Sequence, residues 1–80
     1  MDAVKTNLIL NLKGLLCPLP VVKISQAIKT IEVGEMIEAT ASDPGVLADI
    51  PAWARSSGHE LVSMTKVAER EYQFVVKRAK

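Results

Sequence analysis

The chain holds one cysteine, Cys17, and one histidine, His59, and these two side chains bound the chemistry it can carry. A generic lone cysteine behaves as a small buried hydrophobe. Cys17 stands apart through its surroundings, Gly14-Leu15-Leu16-Cys17-Pro18-Leu19-Pro20, where an alternating segment gives way to a helical one. A sulfur at the mouth of a helix meets the positive end of the helix and unpaired N–H groups, which favour a thiolate. The expected pKa therefore lies below the ~8.5 of a free thiol. Pro18 and Pro20 carry no N–H, so only Leu19 and Val21 are left to face an anion near the sulfur. Their fixed φ also keeps the turn from fraying and holds the sulfur outward.

What one exposed thiolate can do follows by elimination. Nucleophilic hydrolysis wants a base and an orienting group. His59 follows Gly58 and either folds back toward Cys17, meets the last helical carbonyls or stands in water. Dithiol redox chemistry wants a second cysteine, and zinc wants four ligands. No metal and no cofactor is expected. Exchange remains: the thiolate accepts a sulfur atom as a persulfide, or forms a mixed disulfide, and hands it to another protein's thiolate. Such a protein needs a nucleophile, an open approach and a docking surface. Asp43 and Asp49 read as helix caps. Lys13, Lys23 and Arg55 either raise the local positive potential and meet an acidic partner or are solvated face residues. Trp53 is expected to pack against the sheet. A non-catalytic adaptor with Cys17 incidental, and a thiol redox regulator acting through mixed disulfides, are the alternatives.

Composition narrows the setting. Eighty residues, 49% hydrophobic and 24% charged, make one domain, residues 1–80. A formal charge of +1 argues against direct nucleic-acid binding. A single cysteine cannot form an internal disulfide, which favours a reducing cytoplasm. No apolar run approaches the ~20 residues of a membrane span. Met1-Asp2-Ala3-Val4-Lys5 lacks the layout of a signal peptide. A cytoplasmic protein with no membrane partner is expected.

The elements that position Cys17 can be read from periodicity. Asn7 to Lys13 alternates, with Leu8, Leu10 and Leu12 on one face, and Gly14 ends the strand. Val21, Ile24, Ile28 and Ile31 then share a helical face. With Cys17 as N-cap, Leu16 and Val21 would form a hydrophobic staple, and Gly34 would close the helix. Glu35 to Ala41 alternates again, its alanines small enough for a helix to sit close. Pro51 predicts a broken second helix: one turn from Pro44 to Ala48, then a helix from Ile50 to Ser57 capped by Asp49 and ended by Gly58. Glu60 to Val67 and Glu71 to Lys77 form a hairpin with a short, glycine-free loop. The order β-α-β-α-β-β gives an α+β, two-layer α/β sandwich, a four-stranded mixed sheet with two helices on one face. Strand order stays open. Ile9, Met36, Glu38 and Val75 would lie on the uncovered face, as a partner site or as ordinary exposed apolar side chains.

Gly14 to Lys23, the Gly34-Glu35 turn, Ala41-Ser42-Asp43-Pro44-Gly45, Asp49-Ile50-Pro51-Ala52-Trp53 and Ser57-Gly58-His59-Glu60-Leu61 resemble the TusA/SirA-like sulfur-carrier family. The resemblance spans roughly residues 8–77 and implies the same β-α-β-α-β-β sandwich. It implies that Cys17 carries a persulfide, that Gly14, Pro18, Leu19 and Pro20 shape the site, and that Asp43, Pro44 and Asp49 define turns. It implies a sulfur donor protein, a cysteine desulfurase or a rhodanese-like or DsrE-like protein. Sulfur then passes towards an acceptor protein, DsrE-like or another sulfur-handling protein, for tRNA thiolation or sulfur oxidation. Lys23 and Arg55 are the candidate partner contacts. Some relatives carry a second cysteine where this chain has Ala54, so a two-cysteine mechanism within one chain is excluded.

Overall fold

The computed structural model describes residues 7–80, and the opening Met1 to Lys5, compared above with a signal peptide, lies outside them. The described residues run β1 (Leu8–Leu12), α1 (Leu19–Ala27), a 3-10 turn (Ile28–Thr30), β2 (Met36–Ala41), α2 (Val46–Ser57), β3 (Glu60–Ala68) and β4 (Glu71–Lys77). The strands lie in the order β1-β2-β4-β3. β1 and β2 are parallel, a pairing that requires the crossover α1 supplies. β4 pairs antiparallel with both β2 and β3, completing the expected mixed sheet. No helix among the described residues is long and apolar enough to cross a membrane.

Strand alternation decides which face is covered. Leu12, Ile37, Ala39, Ala41, Phe74 and Val76 form one core with Ile24 and Ile28 before β2 and with Val46 and Ile50 of α2. Ala39 and Ala41 are fully buried, and their small side chains let the helical layer approach the sheet. Phe74 is the largest fully buried side chain, contributing about 2–3 kcal/mol by transfer. On the other face the register sets Ile9, Glu38 and Val75 in one cross-strand row. Ile9 is 70% exposed and Val75 only 8%, with the Glu38 carboxylate, which accepts a hydrogen bond from Gln73 Nε2, standing between them.

Three local expectations need correction. The α1 stripe buries Ile24, Ile28 and Ile31, but the α-helix ends at Ala27 and tightens into the 3-10 turn. Gly34 therefore closes no helix; at φ +96° it shapes the turn into β2, its N–H donating to the Arg78 carbonyl at 2.7 Å. The second helix is not broken: α2 runs unbroken through Pro51. A proline there removes the bond to the Leu47 carbonyl and costs about 3 kcal/mol. Leu47 is exposed, so water can meet that carbonyl, while Val46, Ile50 and Ala54 hold the helix to the core on its other side. Gly58 does end α2, at φ +83°, with its own N–H and that of His59 both reaching the Ala54 carbonyl. β3 extends one residue beyond expectation, to Ala68, leaving Glu69 and Arg70 as the turn. Arg70 takes the left-handed position there, at φ +55°, and β3 has register irregularities between Leu61 and Ser63 and between Lys66 and Ala68.

Candidate functional site

Because β1 and β2 run side by side in the same direction, their carboxyl ends release two loops at one border of the sheet, residues 13–18 and 42–45. Two hydrogen bonds tie the loops together. The Gly14 N–H donates to Ser42 Oγ at 2.8 Å, and the Cys17 N–H donates to Asp43 Oδ2 at 2.7 Å. The other Asp43 oxygen accepts from the Gly45 N–H at 3.1 Å. Asp43 is thus a clamp across the loops more than a helix cap, and α2 has no side-chain cap. These donors hold the Asp43 carboxyl below the ordinary carboxylate range, Gly45 contributing most and Cys17 next. Gly14 is needed for its φ of +86°, since a Cβ there would meet only open space.

Cys17 is exposed, and its thiol donates a hydrogen bond to the Asp49 carboxylate from the first turn of α2. Asp49 lies four residues after Gly45, so both stand at the same end of the helix. A Cβ on Gly45 would lie 2.9 Å from Cys17 Sγ; the glycine makes the space in which the sulfur rests. The hydrogen bond to Asp49, then lost hydration, then repulsion from the Asp49 and Asp43 carboxylates push the Cys17 thiol up to about 11.

That direction is opposite to the one expected from the sequence, and the local geometry gives the reason. Helix α1 begins at Leu19 with Pro18 as its N-cap, so Cys17 is not the cap and precedes the helical turn. The Leu19 N–H is taken by the Leu16 carbonyl at 2.8 Å and the Cys17 N–H by Asp43. Two carboxylates next to the sulfur outweigh a helix end whose field fades within a turn. Leu16 is 72% exposed, so no staple with Val21 forms. The Cys17–Pro18 peptide is cis.

The remaining candidates divide. Pro18 and Leu19 are exposed beside the sulfur, whereas Pro20 is fully buried and anchors α1 in the core. Lys23 is exposed on α1. Arg55 is exposed in the last turn of α2, at the end remote from Asp49, where a cation suits the helix dipole. Lys13 pairs with Glu71 at 3.8 Å. His59 does not reach Cys17: its ring lies 5.6 Å from that of Trp53, and its Nδ1 accepts the Ala79 N–H at 3.1 Å. Asp49 is the residue that sequence reasoning missed, since an aspartate before Ile50-Pro51 reads as a cap. Its position one helical turn after Gly45 was the available signal. A groove of about 600 Å³ lies alongside, lined by Leu16, Asp43, Lys66 and Arg70 among others, but Cys17 stands outside it.

Residues 8–78 match the family described as Sulfurtransferase TusA. The sulfur carrier protein TusA of Allochromatium vinosum is 30% identical over 70 residues, 88% of this chain and 91% of that one. YrkI of Bacillus subtilis, which bears a provisional sulfur-carrier name, is 39% identical over 61 residues, 76% of this chain and 81% of that protein. YrkF of the same organism is 46% identical over 56 residues, 70% of this chain, but this chain covers only 30% of YrkF. The crystal structure of a SirA-like protein from Desulfitobacterium hafniense superposes with a TM-score of 0.80, covering 92% of this chain and all of that one at 13% identity, a likeness of fold.

Proposed function

Since this chain belongs to the sulfurtransferase TusA family and is a sulfur carrier, we propose that Cys17 is its loading point and holds the cargo as a persulfide. The observation that carries this reading is the exposure of Cys17 at the sheet border, beside rather than inside the neighbouring groove, on loops cross-tied by Asp43 and Ser42. A sulfur presented in the open suits a macromolecular donor and acceptor whose own surfaces enclose the reaction. In loading, Cys17 Sγ attacks the outer sulfur of a donor persulfide, one S–S bond forming as the donor's S–S bond breaks. The thiol proton leaves Cys17 and a proton returns to the departing donor thiolate, so a thiol and a persulfide exchange places with no net oxidation. Delivery is the same exchange with this chain as donor.

On this reading a cysteine desulfurase or a rhodanese-like protein supplies the sulfur, and a DsrE-like or other sulfur-handling protein receives it. The destination is tRNA thiolation or sulfur oxidation, in a reducing cytoplasm where a free thiol persists. Incubation with a desulfurase and cysteine, or with rhodanese and thiosulfate, followed by intact mass measurement, tests it. The mass of one added sulfur atom, absent from Cys17→Ser and removed by a reductant, is expected. No adduct with either donor, or glutathione adducts in preference to persulfides, would overturn it.

A further inference from the structure

We propose that Asp49 is a positioning residue that holds the empty Cys17 thiol protonated and quiet, a hold that loading breaks because a persulfide has no proton left on Sγ to give. The proposal rests on Cys17 being the loading point and adds a control on that site. Its geometric basis is a thiol that donates to a carboxylate fixed on the first turn of a helix, with a second carboxylate one loop away. Asp43 is already engaged by two backbone N–H groups and adds only a lesser hydrogen bond to the thiol, so Asp49 is the main side-chain acceptor for the sulfur.

Among the described residues, the charges that act on the sulfur are of one sign. Asp49 comes from α2 and Asp43 from the loop before it, and no lysine, arginine or histidine of α1 or the strands enters the balance at the thiol among the described residues. Among the described residues, neither carboxylate has a cation within ion-pair distance, and Lys13, the cation nearest to Cys17 in sequence, is turned to Glu71. An exposed sulfur in water would ordinarily ionise in part near neutral pH. Here the same two carboxylates that tolerate S–H repel S⁻, which agrees with the raised pKa.

Loading changes the balance. Once Sγ is bonded to a second sulfur, the hydrogen bond to Asp49 has no donor, and a terminal sulfur anion beside Asp49 and Asp43 is repelled by both. Cys17 is exposed, so the added atom has the solvent side to extend into. The empty carrier is thereby shielded from stray electrophiles, and the loaded one presents its cargo to the solvent side.

The test uses the unloaded chain and so is independent of sulfur transfer. Rates of alkylation by iodoacetamide are measured from neutral to strongly alkaline pH for the wild type, Asp49→Asn and Asp49→Glu, with far-UV circular dichroism as a check on folding. Thiolate fraction rises tenfold for each pH unit by which the midpoint falls, while thiolate nucleophilicity drops with a Brønsted slope of ~0.4–0.5. Asp49→Asn should therefore react about 3–4-fold faster at neutral pH, and about 3-fold slower on the alkaline plateau, for each unit of midpoint lost. The two profiles cross, which a merely structural loosening would not produce. Asp49→Glu, which keeps the charge, should lie between them. Superimposed profiles, or a variant that is faster or slower at every pH, would overturn the proposal. If Asp49→Asn fails to fold, the Asp49→Glu profile decides: a midpoint below that of the wild type supports the hold and an unchanged one refutes it. Failure of persulfide loading in the mass experiment, with the crossing intact, would sink the carrier site and leave the role of Asp49 standing.

Discussion

Substituting Gly45 by alanine tests the geometry at the sulfur without touching a charge. The added Cβ would stand 2.9 Å from Cys17 Sγ, and ordinary contact begins at 3.4 Å, so the sulfur must retreat by roughly half an ångström. It can do so by turning about χ1, the one side-chain torsion that moves Sγ, and that turn carries it off the Asp49 carboxylate. The backbone has no objection, because Gly45 has φ −58° and ψ −23°, where alanine is at ease. A compatible Gly→Ala change gains about 0.4–1 kcal/mol through the unfolded chain, and loss of glycine at the cap costs a similar amount. Melting should thus move by no more than about 4–8 °C, the shift that 1 kcal/mol gives a domain of this size. The assay pairs thermal denaturation with an alkylation profile against pH. The expected result is a nearly unchanged melting temperature, with a thiol that alkylates several-fold faster at neutral pH and has a lower midpoint. An unchanged profile in a folded variant would refute the placement of the sulfur between Gly45 and Asp49.

Two further outcomes separate structure from chemistry. Pro20→Ala should destabilise by about 2 kcal/mol, since it empties a fully buried site, while Pro18→Ala, at an exposed position, should change stability by no more than about 1 kcal/mol; urea titration of each compares them. Burial, then the charges of Arg78 and Lys80, lowers the His59 pKa, so the folded state favours the neutral ring that accepts the Ala79 N–H. Stability from this source is complete above the unfolded value of ~6.5 and is lost as pH falls through the lowered folded value. His59→Gln should flatten that segment of the stability–pH curve, whereas an identical slope in the variant would refute the assignment.

Much of this arrangement was legible in the sequence because single side-chain periods decide it. Leu8, Leu10 and Leu12 alternate in a strand whose other face is open, and Ala39 and Ala41 announce a close helix by their size. Gly58 ends α2 because the left-handed position admits little else. What was hidden depends on tertiary balance. Whether Pro51 breaks a helix turns on whether the orphaned Leu47 carbonyl meets water and whether Val46 and Ile50 are buried, and neither is a local property. The thiol shows the same limit more sharply. Cys17 next to Pro18 suggests a helix start, but the sign of its pKa shift is decided by Asp43 and Asp49, 26 and 32 residues away, brought in by the parallel pairing of β1 and β2.

The irregular register of β3 has a consequence for a protein that must meet several partners and leave each of them. A sheet with flat, regular outer strands invites edge-to-edge zippering, whether with a partner or with misfolded neighbours. Here one outer strand is only five residues long and the other is interrupted on both sides of its middle, with Lys66 just before the second interruption. Neither rim offers a clean template for strand addition, which steers encounters away from the backbone and toward the loop tips where Cys17 is exposed.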